Sequence, residues 1–303
     1  LRRASALLIS SLHNTIETTR KMRCYWRIAQ RFSSHESCVV LILRQFLSYV
    51  FCSFLVALFS TAALSAPLWL EAKGEGSPTI VFISGNGSDA SVWKNIEPVL
   101  REHGIQTVVY DRAGLGRSPL WEGSYTIEGE AHDLKATLAE HAIRGPIILV
   151  AHSYGGYIAS LLAEEMAQVV GLVFVDAGIP ADMSQQLVDY VLAEYTPRFE
   201  ALEKAAPELA KAIIPVVKAY PATAKRMRLV TIPEDLPVID ILAETSWVQD
   251  EKIVSQMRKA HTDFVATSPN RSSQIAKGSG HNVMKDKPHY VIDAVTRMVE
   301  QLR

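Results

Sequence analysis

One stretch constrains this chain more than any other: residues 145–156, Gly-Pro-Ile-Ile-Leu-Val-Ala-His-Ser-Tyr-Gly-Gly. Ile147 to Val150 read as a short buried strand, and the two glycines after Ser153 let a following helix pack close behind a sharp turn. A serine on such a turn is held clear of the sheet, with its hydroxyl exposed and the first helical N–H groups beside it. The usual pattern of this nucleophile elbow is Gly-x-Ser-x-Gly. Here Ala151 replaces the first glycine and adds only a methyl group where two elements approach.

The surrounding pattern gives the elbow a sheet to stand on. Strands are expected at Thr79–Ile83, Thr107–Tyr110, Val169–Val175, Leu236–Ala243 and Ser273–Lys277, and a turn-rich lead-in at 71–78. Helices are expected at 91–103, 128–142, 157–166, 248–267 and 288–302. The last is the clearest, with Pro288 at its start and Val291, Val295, Met298, Val299 and Leu302 on one stripe. Strands apolar on both faces and separated by helices predict an α/β fold: a mostly parallel central sheet covered on both sides. Residues 178–233 break the rhythm with six prolines and no convincing strand, and read as a helical lid inserted over the sheet edge. Asp240 sits awkwardly within an apolar strand, so it either faces outward or has a specific partner.

The amino-terminal part differs in kind. Residues 1–44 are basic, and from Gln45 to Leu70 there is no charge. A basic flank, an apolar run and small residues near Ser65-Ala66 predict a signal peptide, and the run is also long enough for an uncleaved transmembrane anchor. Met22 is a candidate start. Either reading gives residues 1–66 as a targeting segment, 67–303 as the main domain, membrane association through residues 45–66, and a domain exported to the periplasm or secreted. Cys24, Cys38 and Cys52 all lie in the first part, so the main domain has no disulfide and no thiolate metal site. With 31 basic and 32 acidic residues the chain carries no charge excess that would recruit nucleic acid.

A serine hydroxyl needs a base within hydrogen-bond reach, and the base needs an orienter. His281 follows the last strand in a Gly-Ser-Gly turn, where it can reach over the sheet edge to Ser153. Asp176 ends the strand 169–175 at the same edge and is the preferred acid; Glu244, ending the next strand, competes with it. His152, beside the serine but directed away from the elbow, reads as structural. Backbone N–H groups of Tyr154 and Asn86 are the expected oxyanion donors, with Gly85 and Gly87 letting the second loop turn inward. The Gly114 and Gly116 loop lacks the spacing of a phosphate or dinucleotide site; Asp111 and Arg112 are expected to tie it down.

Taken together, Ser84-Gly85-Asn86-Gly87 with Trp93 behind it, Tyr110 to Ser118, the Ala151–Gly155 elbow, Val175-Asp176-Ala177 and Gly278 to His281 resemble the α/β-hydrolase superfamily, in its lid-bearing esterase and peptidase branches. The resemblance runs from about Pro78 to Leu302. It implies Ser153 as nucleophile, His281 as base, and Asn86 and Tyr154 as oxyanion positions. Two departures stand out: Ser84 replaces a frequent histidine, and no Gly-x-x-Asp follows the strand 236–243, which supports Asp176. The expected activity is that of a serine carboxylesterase, without cofactor, acting on a small-molecule ester. Trp121, Tyr154, Ile179 and Leu187 are expected to shape an apolar pocket. An aminopeptidase-like amide hydrolase, using lid acids such as Glu194, Glu200, Glu203 and Glu208, and a non-catalytic binding module on the same fold are the alternatives.

Overall fold

The computed structural model describes residues 67–302 apart from Glu122. Among them, seven strands form one sheet: β1 (Leu70–Lys73), β2 (Thr79–Ile83), β3 (Thr107–Tyr110), β4 (Ile147–His152), β5 (Val169–Val175), β6 (Val238–Ala243) and β7 (Arg271–Ala276). Their order is β1-β3-β2-β4-β5-β6-β7. β1 runs antiparallel to β3 and every other pairing is parallel.

The α-helices, in chain order, are α1 (Glu97–Glu102), α2 (Ile127–Glu140), α3 (Gly155–Glu165), α4 (Gln185–Tyr195), α5 (Phe199–Ala205), α6 (Pro207–Lys218), α7 (Tyr220–Met227), α8 (Glu251–Ala266), α9 (Val283–Asp286) and α10 (Pro288–Leu302). Two cores sandwich the sheet. In β4, Ile147, Leu149 and Ala151 belong to one, with α2 and α3, while Ile148 and Val150 belong to the other, with α1 and α10. A strand buried on both faces must be apolar at every position, which is why its sequence shows a run and not an alternation. Each such aliphatic side chain contributes about 1.5–3 kcal/mol by leaving water.

Three elements differ from the sequence reading. The helix expected over 91–103 is a 3-10 turn at Ala90–Trp93 followed by α1. A continuous helix would place Pro98 in its interior, whereas the break puts that proline in the first turn, where no N–H is needed. The lead-in contains β1, whose Glu71 and Lys73 give no apolar signal; pairing with β3 defines it. In the insertion, where the sequence suggests one helix over 208–220, α6 ends at Lys218 and α7 starts at Tyr220, with Pro221 in its first turn.

The expectation of a membrane anchor is corrected. Among the described residues no helix is long and apolar enough to cross a bilayer, and residues 45–66, on which membrane association rested, lie outside them. Membrane association is therefore dropped. The expected signal peptide also lies outside the described residues.

Candidate active site

Ser153 follows β4 directly and holds φ at +53°, a left-handed conformation costing about 1–3 kcal/mol for a residue other than glycine. Its surroundings enforce that turn. The Ser153 carbonyl accepts from Gly156 N–H at 3.0 Å and from Gly178 N–H at 2.9 Å. A Cβ on Gly155 would lie 2.7 Å from the Ile83 carbonyl oxygen, and one on Gly156 only 2.1 Å from that of Gly178. Both positions therefore require glycine, whereas Ala151 sits fully buried in β4 in place of the more usual first glycine.

The imidazole of His281 reaches the elbow as expected, with Nε2 3.0 Å from Ser153 Oγ. Its Nδ1 lies 2.6 Å from Asp176 Oδ2. Asp176 is fixed in turn: its φ is +41°, its N–H donates to the Ile241 carbonyl at 2.6 Å, and its Oδ1 accepts from Ala243 N–H at 2.9 Å. One carboxylate oxygen is thus tied to β6 and the other is aimed at the imidazole. With the Nδ1 proton donated to Asp176, Nε2 is free to accept from the serine hydroxyl.

Glu244 does not compete for that place. Its Oε2 accepts from Gly278 N–H at 2.9 Å, at the start of the turn carrying His281. Asp286 Oδ2 accepts from Gly280 N–H at 2.9 Å, so carboxylates hold both ends of this turn.

His152 is closer to the chemistry than its strand position implied. Its ring is 4.5 Å from that of His281, and its Nε2 donates to the His281 carbonyl at 3.0 Å. Trp247 covers His281 at 6.0 Å. Burial, and then the neighbouring His281, push the His152 pKa well below 6.5. A neutral ring beside His281 does not oppose an imidazolium there.

On the opposite side, Gly85 presses against the serine: a Cβ there would lie 2.9 Å from Ser153 Cβ and 3.0 Å from His152 Nδ1. The loop is braced by Trp93, whose indole N–H donates to Ser84 Oγ at 3.0 Å, and by Ser84 Oγ–H donating to the Asp89 carbonyl at 3.1 Å. Asn86 lies next in this loop and Tyr154 follows the serine. Neither backbone N–H has a backbone acceptor among the described residues. The Gly114 and Gly116 loop is tied down as expected. Asp111 accepts from Ala90 N–H and Arg117 N–H at 2.8 and 2.9 Å, and Arg112 is buried against Glu130.

Beside Ser153 lies a cavity of about 40 Å³, lined among others by Tyr154, Tyr157, Asp182, Tyr220, Met257 and His261. Of the four residues expected to shape it only Tyr154 does; Ile179 and Leu187 are consumed by the core, and Trp121 packs on Tyr125. The acids proposed to hold an amine also lie elsewhere. Glu194, Glu200 and Glu208 pair with Arg198, Lys204 and Lys211 on outward helix faces.

The cavity wall holds a second histidine–carboxylate group. Asp240, fully buried, has its Oδ2 2.8 Å from Nδ1 of His261, whose Nε2 is 3.4 Å from Asp182 Oδ2. Tyr157 donates to Asp182 Oδ1 at 2.8 Å. Burial alone would depress the His261 pKa, but Asp240 and the bond to Asp182 overcome it and raise the value to about 10. The imidazolium supplies positive charge between these acids. Asp240 was the sequence signal for this group, since a carboxylate inside an apolar strand demands a partner.

Fold and site together define a doubly covered parallel sheet with serine, histidine and aspartate joined in series at the carboxyl ends of β4, β5 and β7. The chain belongs to the Alpha/beta hydrolase family, which it matches over residues 80–294. It is 28% identical over 224 residues to the Bacillus subtilis uncharacterized protein YqjL, covering 72% of this chain and 82% of that one. It is 33% identical over 130 residues to lipase LipV of Mycobacterium tuberculosis, covering 42% of this chain and about half (48%) of the lipase. Among solved structures, a carboxylesterase of Nitrososphaera gargenis superposes with a TM-score of 0.59 at 17% identity, over 80% of this chain and 97% of that one. That likeness is one of fold.

Proposed function

We propose that the protein is a serine hydrolase that cleaves a small carboxylic ester through an acyl-enzyme. Ser153 Oγ attacks the ester carbonyl carbon while His281 Nε2 takes its proton, and Asp176 holds the imidazole in the required tautomer. The oxyanion is received by the N–H groups of Asn86 and Tyr154. His281 then protonates the leaving alcohol, and water, activated by the same nitrogen, releases the acid. The insertion carrying α4 to α7 serves as a lid, since it brings Tyr220 to the cavity beside Ser153. The cavity is small, about 40 Å³, which favours short groups.

The observation that carries this reading is the unbroken series from Asp176 through His281 to Ser153, at 2.6 and 3.0 Å. The reading is tested with p-nitrophenyl acetate. Ser153→Ala is expected to lower kcat by about 10⁴-fold or more, as for other serine hydrolases stripped of their nucleophile; unchanged turnover would refute it. For location we propose export directed by residues 1–66, supported by their basic-then-apolar sequence. Amino-terminal sequencing of protein recovered outside the cytoplasm checks it, and exclusive recovery in the cytoplasm would overturn it.

A further inference from the structure

His152 closes β4 one residue before the nucleophile and takes no part in the proton transfers of the proposed reaction. Side chains alternate along a strand, so it leaves the sheet on the same side as Ile148 and Val150. Val283 and Met284, just after His281, are packed on that side too. The residue is 3% exposed. Its Nε2 lies 3.0 Å from the His281 carbonyl oxygen, which can only accept, so this nitrogen carries the ring proton and Nδ1 presents a lone pair. That lone pair is buried and meets no donor among the described residues; it lies beside Gly85, where a Cβ would stand 3.0 Å away. Packing alone would be served by an apolar side chain that leaves nothing unmatched, so the contribution of the histidine lies in its other nitrogen.

We propose that His152 is a positioning residue for the general base: its Nε2–H bond holds the main chain of His281, so that the imidazole meets Ser153 and Asp176 together. This rests on the serine hydrolase reading and deepens it. The bonds made by Glu244, Asp286 and Asp176 act on neighbours of His281 or on its side chain. Among the described residues the His281 carbonyl accepts from His152 alone. The two rings are also 4.5 Å apart, so a charge on His152 would oppose the imidazolium formed when Ser153 gives up its proton. Burial, and after it His281 itself, outweigh the bond to the carbonyl and keep the His152 pKa well below 6.5, with Lys285 adding to them. The ring therefore stays neutral and keeps its donor on Nε2.

The full-length protein is assayed with p-nitrophenyl acetate, turnover being counted per Ser153 that a fluorophosphonate labels, so that unfolded molecules drop out. His152→Phe keeps a ring and loses the donor, whereas His152→Gln loses the ring and keeps an N–H at comparable reach. In His152→Phe kcat is expected to fall about 10- to 100-fold with KM within about twofold, the signature of a misplaced base. His152→Gln is expected to restore about half of that loss or more on a logarithmic scale. A purely structural donor would lower the denaturant midpoint and leave kcat per labelled serine unchanged. That outcome, or a Gln variant no better than Phe, would overturn the proposal. Ring-nitrogen NMR of the parent protein tests it without any variant: His152 is expected to show a protonated Nε2 and a bare Nδ1 from about pH 8 down to about pH 5. A proton on Nδ1 in that range would overturn it as well. A labelled Ser153 with unchanged kcat in His152→Phe refutes the positioning role alone. Absence of labelling in the parent refutes the hydrolase reading and the positioning role with it.

Discussion

Two histidines in this molecule each stand beside carboxylates, and their second ring nitrogen separates their behaviour. His281 presents Nδ1 to Asp176 and Nε2 to the Ser153 hydroxyl, at 2.6 and 3.0 Å. His261 presents both nitrogens to acids, Asp240 at 2.8 Å and Asp182 at 3.4 Å. The first arrangement leaves a nitrogen able to take a proton and return it. In the second, the imidazole stands between two buried carboxylates that favour its protonated form. Exposure follows the same division: the His281 side chain is 23% exposed and that of His261 only 4%.

The sharpest way to break this contrast is to disturb the acid behind each ring. Asp176→Asn leaves the serine in place but favours the wrong imidazole tautomer, and is expected to lower kcat by about 10⁴-fold with little change in stability. A loss of tenfold or less, which steady-state kinetics would show, would deny Asp176 the orienting role.

At His261 the effect is expected in stability. His261→Leu leaves Asp182 and Asp240 buried without their cation, and breaking such a group costs about 3–5 kcal/mol. His281→Ala, at a partly exposed position, is expected to cost less than about 1 kcal/mol. Denaturant midpoints of the two variants compare them directly, and equal midpoints would erase the distinction.

The pH response sharpens it further. The His261 pKa stands at about 10 in the folded protein against an ordinary 6.5. A raised folded value means the histidine contributes fully below the unfolded pKa and loses that contribution as pH rises through 10. Unfolding free energy is therefore expected to decline between pH 6.5 and 10 in the parent protein. In His261→Leu that segment should be flat, and a parallel decline would place the titration elsewhere.

Glu244→Gln is expected to have the smallest effect, about tenfold or less in kcat, because it weakens one bond to the turn carrying His281 and touches no reacting atom. A loss greater than that of Asp176→Asn would transfer the orienting role to Glu244.

The difference between the two histidine sites also explains what could be read beforehand. The residues in series with Ser153 follow strand ends and carry local signatures: Gly155-Gly156 behind the serine, Gly278 and Gly280 before His281, and Asp176 closing an apolar run. Each signature reports a backbone requirement, such as the positive φ of Ser153 or the close approach at Gly156. Those requirements are local, so spacing reveals them. The Asp182–His261–Asp240 group comes from a short turn, a helix and a strand interior, and its members share no local pattern. Asp240 left open an outward face or a specific partner, and only the packing of α8 on β6 identifies that partner. Tyr220 was hidden for a related reason: its position depends on where one helix ends and α7 begins, set by Pro221. The apolar pocket expected from Ile179 and Leu187 failed because apolar residues next to a site are as readily absorbed by the core.

The most direct measurement is the rate at which a fluorophosphonate adds to Ser153, read by peptide mass spectrometry in the parent protein, His281→Ala and His261→Leu. The expected result is a single adduct on Ser153 that forms in the parent and in folded His261→Leu but is slowed by about 10³-fold or more in His281→Ala, the cost of losing the general base. No adduct on Ser153, or equal rates with and without the His281 imidazole, would contradict a nucleophile activated by that histidine.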